Sequence, residues 1–281
     1  EIRDKFGLVI IDECHHVPAR TFTNVVSNLP AKYVLGLTAT AIRKDKLERL
    51  MHFYIGPIIK AEYENRDETE PDENPNEQSI LTTVIVHKTD FQLKKFAHFH
   101  ELGDVLIKNE RRNIQIVNDI LPVLQNGGKC LLLTERVEHC QILLDLVRKN
   151  IKGIHAEIAE GKMTKNERKR ISNRILQDRF QLLIATGKLI GEGFDWPEVS
   201  HLFLAFPFSW KGKLIQYVGR VQRITEGKKE AFIHDYMDEN IKMLELMYFK
   251  RLRTYRSLGL IKNRTQAKKE STSDEQLSLF S

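Results

Sequence analysis

Short, continuously apolar runs alternate along this chain with longer stretches in which apolar positions recur every three or four residues. The first run, Phe6-Gly7-Leu8-Val9-Ile10-Ile11, ends abruptly in Asp12-Glu13-Cys14-His15-His16. Such a run predicts a buried strand of a parallel sheet. The pattern next predicts a helix around residues 20–28, a strand over 33–37 and a helix from about 44 to 53. Further on, buried-strand candidates at 130–133, 152–155, 181–185, 202–206 and 231–234 alternate with amphipathic stretches. This alternation predicts an α/β fold, a parallel sheet with helices on its faces. Thr164 and Glu167 form a T-x-x-E capping box that starts one helix. Asp238 can cap a final helix, whose Ile241, Leu244, Tyr248, Leu252 and Tyr255 recur at helical spacing as a docked stripe, and Gly259 is a natural stop.

Residues 62–79 interrupt the pattern. They include Pro71 and Pro75, few apolar positions, and between Glu62 and Glu77 eight acids against one arginine. Such a segment cannot bury enough surface to offset its ordering entropy, and it predicts a solvated linker. The expected organisation is half a domain over 1–61, an acidic linker over 62–80, a domain over 81–237, a docked helix over 238–262 and a tail over 263–281.

Composition changes the picture in one respect. The formal net charge is +6, but the linker carries −7, so the remainder carries +13. A surface that basic makes a polyanion a plausible partner, although a merely soluble basic surface has the same charge. The three cysteines, Cys14, Cys130 and Cys140, are too few and too irregularly spaced for a disulfide framework or a zinc cluster. No apolar run approaches a membrane span and no leader precedes the first strand, so a soluble cytoplasmic protein with a cut N-terminus is expected.

Four constellations carry candidate chemistry. Asp12 and Glu13 stand at the carboxyl end of a predicted parallel strand, where open α/β sheets bind ligands. One carboxylate can face a hydrated Mg2+ while the other faces a water; a core strand meeting solvent at a charged turn would look the same. Gly36-Leu37-Thr38-Ala39-Thr40 follows the second strand with two hydroxyls that can hydrogen-bond to the acidic pair. Thr186-Gly187-Lys188-Leu189-Ile190-Gly191-Glu192-Gly193-Phe194-Asp195 offers glycines for close approach of backbone to phosphate or sugar, or is a glycine-rich surface loop. Gln216-Tyr217-Val218-Gly219-Arg220-Val221-Gln222-Arg223, on a helix, would present Gln216, Arg220 and Arg223 on one face. Guanidiniums there can stabilise the charge of a transferring phosphoryl group.

The order D-E-x-H, T-A-T, G-E-G-x-D and Q-x-x-G-R-x-x-R, each beside a predicted strand or helix, resembles the superfamily 2 helicases and translocases of the DExH kind over nearly the whole chain. The resemblance implies the end of a first RecA-like domain followed by a complete second one, working with ATP and Mg2+. It implies that Asp12 holds Mg2+ through water, that Glu13 is the general base and that His16 couples this site to Gln216. Thr38, Ala39 and Thr40 would link hydrolysis to movement. Arg220 and Arg223 would be arginine fingers, with Gly193 and Asp195 facing the nucleotide. Thr134, Arg136, Thr186, Gly187 and Lys188 would contact a nucleic-acid backbone. The implied protein is a monomeric motor on nucleic acid, DNA by preference. A motor subunit of a restriction or defence complex and a non-enzymatic binding module of the same fold are the alternatives.

Two departures stand out. No G-x-x-x-x-G-K-[ST] occurs, so a cradle for the β and γ phosphates is lacking, as expected of the C-terminal part of a longer enzyme that is inactive alone. Ala41 stands where many relatives have proline. At the far end, Gln276-Leu277-Ser278-Leu279-Phe280 follows a polar spacer and resembles the peptide by which bacterial replication and repair proteins bind the sliding clamp.

Overall fold

The structure, a computed structural model, describes residues 5–14, 20–38, 48–59, 80–93, 98–177, 180–187 and 196–261. The chain divides into two compact units, Glu1–Asn76 and Glu77–Ser281.

In the first unit, strand β1 (Leu8–Ile11) pairs in parallel with β2 (Tyr33–Gly36), and helices α1 (Arg20–Ser27) and α2 (Glu48–Tyr54) follow the two strands. Ile11, Cys14 and Val26 form a small core with Val9, Val34, Tyr54 and Ile55 packed around it. The expectation of a strand buried on both faces is not met. Leu8 and Ile10 are 50% and 57% exposed, because among the described residues only one face of this two-stranded sheet is covered.

The second unit is a six-stranded, wholly parallel sheet in the order β3-β8-β7-β4-β6-β5. Its elements in chain order are β3 (Leu81–Lys88), α3 (Phe99–Ile107), α4 (Glu110–Gln125), β4 (Cys130–Thr134), α5 (Val137–Asn150), β5 (Ala156–Ala159), α6 (Lys165–Leu176), β6 (Leu182–Thr186), β7 (His201–Leu204), α7 (Lys211–Val221), β8 (Glu230–Met237) and α8 (Lys242–Ser257). The central strands β4 and β6 are buried at every position, as their unbroken apolar runs require. Alternate residues feed two cores. Leu132, Ile184 and Phe203 meet α4 and α5 on one face, while Leu133, Leu183 and Leu204 meet α6 and α7 on the other.

Several boundaries differ from the sequence pattern. The strand expected at 152–155 begins at Ala156, since Gly153 takes a left-handed conformation (φ 76°) that closes the turn after α5. The strand expected at 202–206 ends at Leu204, although Ala205 still donates its N–H to Leu133. Edge strand β3 was not foreseen, its Thr-rich alternation being only half buried. The Thr164/Glu167 capping box is present, and Gly259 (φ 68°) follows α8. Asp238 does not cap α8, whose N-cap is Ile241; its carboxylate is buried against Arg112 instead. No helix among the described residues is long and apolar enough to cross a membrane.

Three neighbouring strands of the sheet carry linked imidazoles. His87 Nε2 lies 3.0 Å from His234 Nδ1, and His234 Nε2 lies 3.1 Å from His201 Nδ1. Asp119 of α4 sits 3.1 Å from His87 and accepts the Tyr236 hydroxyl at 3.0 Å. Burial lowers His201 to about 4 and His234 to about 3, the latter also repelled by its two neighbours, and lowers the fully buried His139 to about 3. These groups stay neutral in the fold but titrate near about 6.5 when unfolded. Their contribution is therefore complete above that pH and is lost as pH falls toward 4, because protons then bind the unfolded chain preferentially. Asp119, raised by burial, opposes this trend only nearer the carboxylate range. Urea melts at pH 7, 6 and 5 should show a falling midpoint, and His201→Phe should flatten that fall.

Candidate functional site

In the first unit the chemistry gathers where β1 and β2 end. Asp12 is exposed at the end of β1, and Glu13 accepts a left-handed backbone (φ 49°) that non-glycine residues rarely adopt. The Glu13 N–H donates to Asp12 Oδ1 at 2.8 Å. This turn is fastened to the second strand: Leu37 donates to the Ile11 carbonyl and Cys14 donates to the Leu37 carbonyl, both at 2.9 Å. A Cβ on Gly36 would meet Cys14 Sγ at 2.9 Å, so glycine is what lets the two strand ends close up. Cys14 is a buried packing residue whose thiol burial pushes up in pKa. Asp12, Glu13 and Thr38 are thus brought to one edge of the β1–β2 sheet.

In the second unit the parallel strands all end on one edge, and Thr134 and Thr186 are directly paired there. Both residues are buried. Thr134 is 1% exposed, with Oγ1 2.8 Å from His139 Nδ1, and His139 Nε2 lies 3.0 Å from Asn113 Oδ1. Beyond these buried threonines the chain comes nearer to solvent at Glu135, Arg136 and Gly187. Arg136 is half-buried, 3.6 Å from Asp104. Gly187 is hemmed in: an added Cβ would meet Tyr217 Oη at 2.2 Å, Glu135 Oε1 at 2.7 Å and Lys213 Cε at 2.8 Å. Lys213 in turn pairs with Glu135 at 2.5 Å.

Helix α7 brings Gln216 and Arg220, both half-buried, to this unit. Arg223 does not share the helix face expected for it, since α7 stops at Val221 with Gln222 as its C-cap. The stop has a partner across the sheet edge, Gln222 donating to Thr82 Oγ1 at 3.0 Å. The Arg223 carbonyl is held by Lys228, which also donates to the Pro197 carbonyl, at 3.2 and 2.9 Å. Burial lowers the Lys228 ammonium to about 8 despite Glu198 nearby. Lys228 thereby ties the segment after Asp195 to the segment after α7. Tyr217, Lys213 and Lys228 escaped the motif reading: Tyr217 is an unspecified position inside Q-x-x-G-R-x-x-R, Lys213 precedes it and Lys228 follows it. His16, Ala39, Thr40, Lys188, Gly193, Asp195 and residues 276–280 lie outside the described residues.

Residues 112–225 match the model of the helicase conserved C-terminal domain, and residues 1–43 match that of the type III restriction enzyme res subunit. The chain is 26% identical to a protein of Acanthamoeba polyphaga mimivirus named as an ATP-dependent RNA helicase, over 85% of this chain and 44% of that protein. It is 22% identical to the DNA 3'-5' translocase XPB2 of Sulfurisphaera tokodaii, over 83% of this chain and 59% of the relative. Among solved structures, T4 UvsW superposes with a TM-score of 0.52 at 16% identity, covering 92% of this chain and 53% of that one. Saccharomyces cerevisiae Dbp5 superposes with a TM-score of 0.56 at 13% identity, covering 92% and 59%. The chain spans about half the length of the proteins it matches. The fold is that of RecA-like domains. The two matched models and the helicase relatives support a superfamily 2 assignment of the DExH kind.

The crowding at Gly187 generates a prediction. Glu135 and Lys213 can swing aside, but the Tyr217 ring is buried and rigid, and its hydroxyl has no hydrogen-bond partner among the described residues. Gly187→Ala should destabilise the protein by about 1–3 kcal/mol, the usual cost of overpacking, read as a lower urea midpoint. Gly187→Ala/Tyr217→Phe, which removes the closest atom, should recover part of the loss.

Proposed function

We propose that this chain is part of an ATP-dependent helicase or translocase motor that moves along nucleic acid. What supports the reading most directly is that the D-E turn and the Thr38 segment share one strand-end edge of the first unit, while Arg136, Gly187 and the α7 residues belong to the second, in the order the family has them. In this reading Asp12 holds a hydrated Mg2+, for which an exposed carboxylate at a strand end is a fitting ligand. Bound Mg2+ and ATP supply a polarised terminal phosphoryl group. Glu13 takes the proton of the attacking water, and His16 and Gln216 couple the two domains. Thr38, Ala39 and Thr40 transmit the outcome. Gly193 and Asp195 face the nucleotide, and Arg220 and Arg223 spread the developing charge. Arg136, Gly187 and Lys188 contact the strand, with Thr134 and Thr186 buttressing them. Phosphate contacts dominate affinity, so sequence preference is slight and salt dependence strong. The division into 1–61, 62–80, 81–237, 238–262 and 263–281, a monomeric state and a cytoplasmic setting complete the reading.

The test is made in a longer parent chain that includes a G-x-x-x-x-G-K-[ST] loop. Glu13→Gln should abolish hydrolysis and spare nucleotide binding, since only proton transfer is lost. Arg220→Ala and Arg223→Ala should each lower kcat by about 10³ to 10⁵ with little effect on nucleic-acid affinity. The 281-residue chain alone should hydrolyse no more ATP than its Glu13→Gln variant. Loss of strand binding with kcat intact in either arginine variant would instead make these residues a nucleic-acid surface.

The match of residues 1–43 to a restriction-enzyme subunit supports a narrower alternative, a defence-complex motor that translocates duplex DNA without separating strands. A strand-displacement assay beside a triplex-displacement assay distinguishes the two. The tail motif supports DNA as track and a bacterial clamp as partner, with Gln276 bonding at the pocket rim, Leu277, Leu279 and Phe280 filling apolar pockets, and Ser278 between them. A peptide of residues 271–281 should bind a bacterial sliding clamp, and its Leu279→Ala/Phe280→Ala version should not. Equal binding by both, or by neither, removes this partner.

A further inference from the structure

The loop after β7 reads Ala205-Phe206-Pro207-Phe208-Ser209-Trp210, and only part of it is core. Phe206 is buried edge-on to Phe99, with ring centroids 6.3 Å apart, and Phe208 is buried edge-on to Tyr217 at 5.7 Å. Trp210, the N-cap of α7, is 43% exposed, and Phe99 at the start of α3 is 37% exposed. These two rings line a cleft of about 380 Å3 together with Arg136, Phe206, Lys213 and Met247.

The location narrows the occupant. The cleft lies on the carboxyl edge of the sheet, where parallel α/β sheets bind ligands, and Arg136 and Gly187 follow the paired ends of β4 and β6 there. Its chemistry narrows it further. The Lys213 ammonium there is already neutralised by Glu135, which also lines the cleft. Half-exposed aromatic surface beside the Arg136 guanidinium, 3.6 Å from Asp104, nonetheless suits a flat π-faced group that carries its own anion. A purely apolar partner would instead drive the Arg136–Asp104 and Lys213–Glu135 pairs out of water with no polar contact to offset their desolvation. The volume is near the lower end of the roughly 300–1,000 Å3 of small-ligand sites, room for a single base and too little for a duplex.

We propose that this cleft is a stacking subsite for one unstacked base of single-stranded nucleic acid, with Trp210 and Phe99 meeting the base and Arg136 the adjoining phosphate. The inference rests on the nucleic-acid reading above and adds to it a contact that reads base faces and not only backbone. Every base has a π-face, so the subsite tolerates any sequence and registers whether a base is present.

The discriminating ligands are a single-stranded oligo(dT) and an abasic oligomer of the same length, titrated against the 281-residue chain. The chain has two tryptophans and Trp196 is buried, so fluorescence quenching reports Trp210. Oligo(dT) should quench and bind about tenfold more tightly than the abasic strand. Trp210→Ala should lose about tenfold toward oligo(dT), keep its abasic affinity and keep the slope of log affinity against log salt, which counts phosphate contacts. Trp210→Phe should retain most of the affinity. Equal loss toward both oligomers, no loss toward either, or a changed salt slope would overturn the subsite. Oligo(dT) binding that ignores Trp210 sinks the subsite alone, whereas a wild-type chain that binds neither oligomer sinks the nucleic-acid reading with it.

Discussion

Two guanidinium groups without access to water hold the carboxyl edge of the second unit together. Arg112 of α4 donates to both oxygens of Asp238 at 2.7 and 3.2 Å and to the Ala205 carbonyl at 2.7 Å. Arg251 of α8 donates to both oxygens of Asp235 and to the Phe208 carbonyl at 2.6 Å, and Tyr255 closes the second pair by donating to Asp235 at 2.9 Å. Both carboxylates belong to β8 or its end, and both carbonyls belong to the loop after β7. The two pairs therefore clamp one loop between a sheet edge and two helices. Buried pairs of this kind add little net stability over a well-packed apolar core, but removing one partner strands the other charge, at a cost of about 3–5 kcal/mol. What they supply is geometry: the loop leaves β7 in one conformation, and that conformation sets where Trp210 starts α7 and so where Gln216 and Arg220 lie.

This constraint was invisible in the sequence for a physical reason. Arginines in amphipathic helices are normally solvated, so nothing in the spacing of Arg112 or Arg251 distinguishes them from Arg111 or Arg253, and Asp238 before a helix looks like an N-cap. Burial is set by partners distant in the chain, 126 residues away for Arg112 and Asp238. The central strands were legible because a run covered on both faces needs no partner to identify it. Edge strands β3 and β5 were missed or misplaced because half-buried residues satisfy several registers. Arg223 shows the same limit in a helix: periodicity extends the face past Val221, while the Gln222 contact with Thr82 and the Lys228 contact with the Arg223 carbonyl, both made outside the helix, accompany its end.

The motif residues were legible in identity, but their packing was not. Thr134 stands at its expected strand end, yet its hydroxyl is consumed by His139, which Asn113 of α4 holds in turn. A hydroxyl at the last buried position of a strand has to be satisfied internally, whereas the next residue is already in solvent. The inward threonine fixes the strand end, and the side chains of Glu135 and Arg136 after it reach solvent.

The two units differ in how firmly they hold such chemistry. In the second, a sheet covered on both faces and two buried ion pairs fix the edge. In the first, a two-stranded sheet carries Leu8, Ile10, Tyr33 and Leu35 exposed on one face, and two strands alone are at best marginally stable in water. Its acidic turn nonetheless keeps Glu13 in a left-handed conformation, a local cost of roughly 1–3 kcal/mol that the Leu37 and Cys14 backbone bonds must support. The Glu13 turn rests on two backbone bonds between neighbouring strand ends, whereas the strand ends of the second unit are fixed by buried side-chain ion pairs.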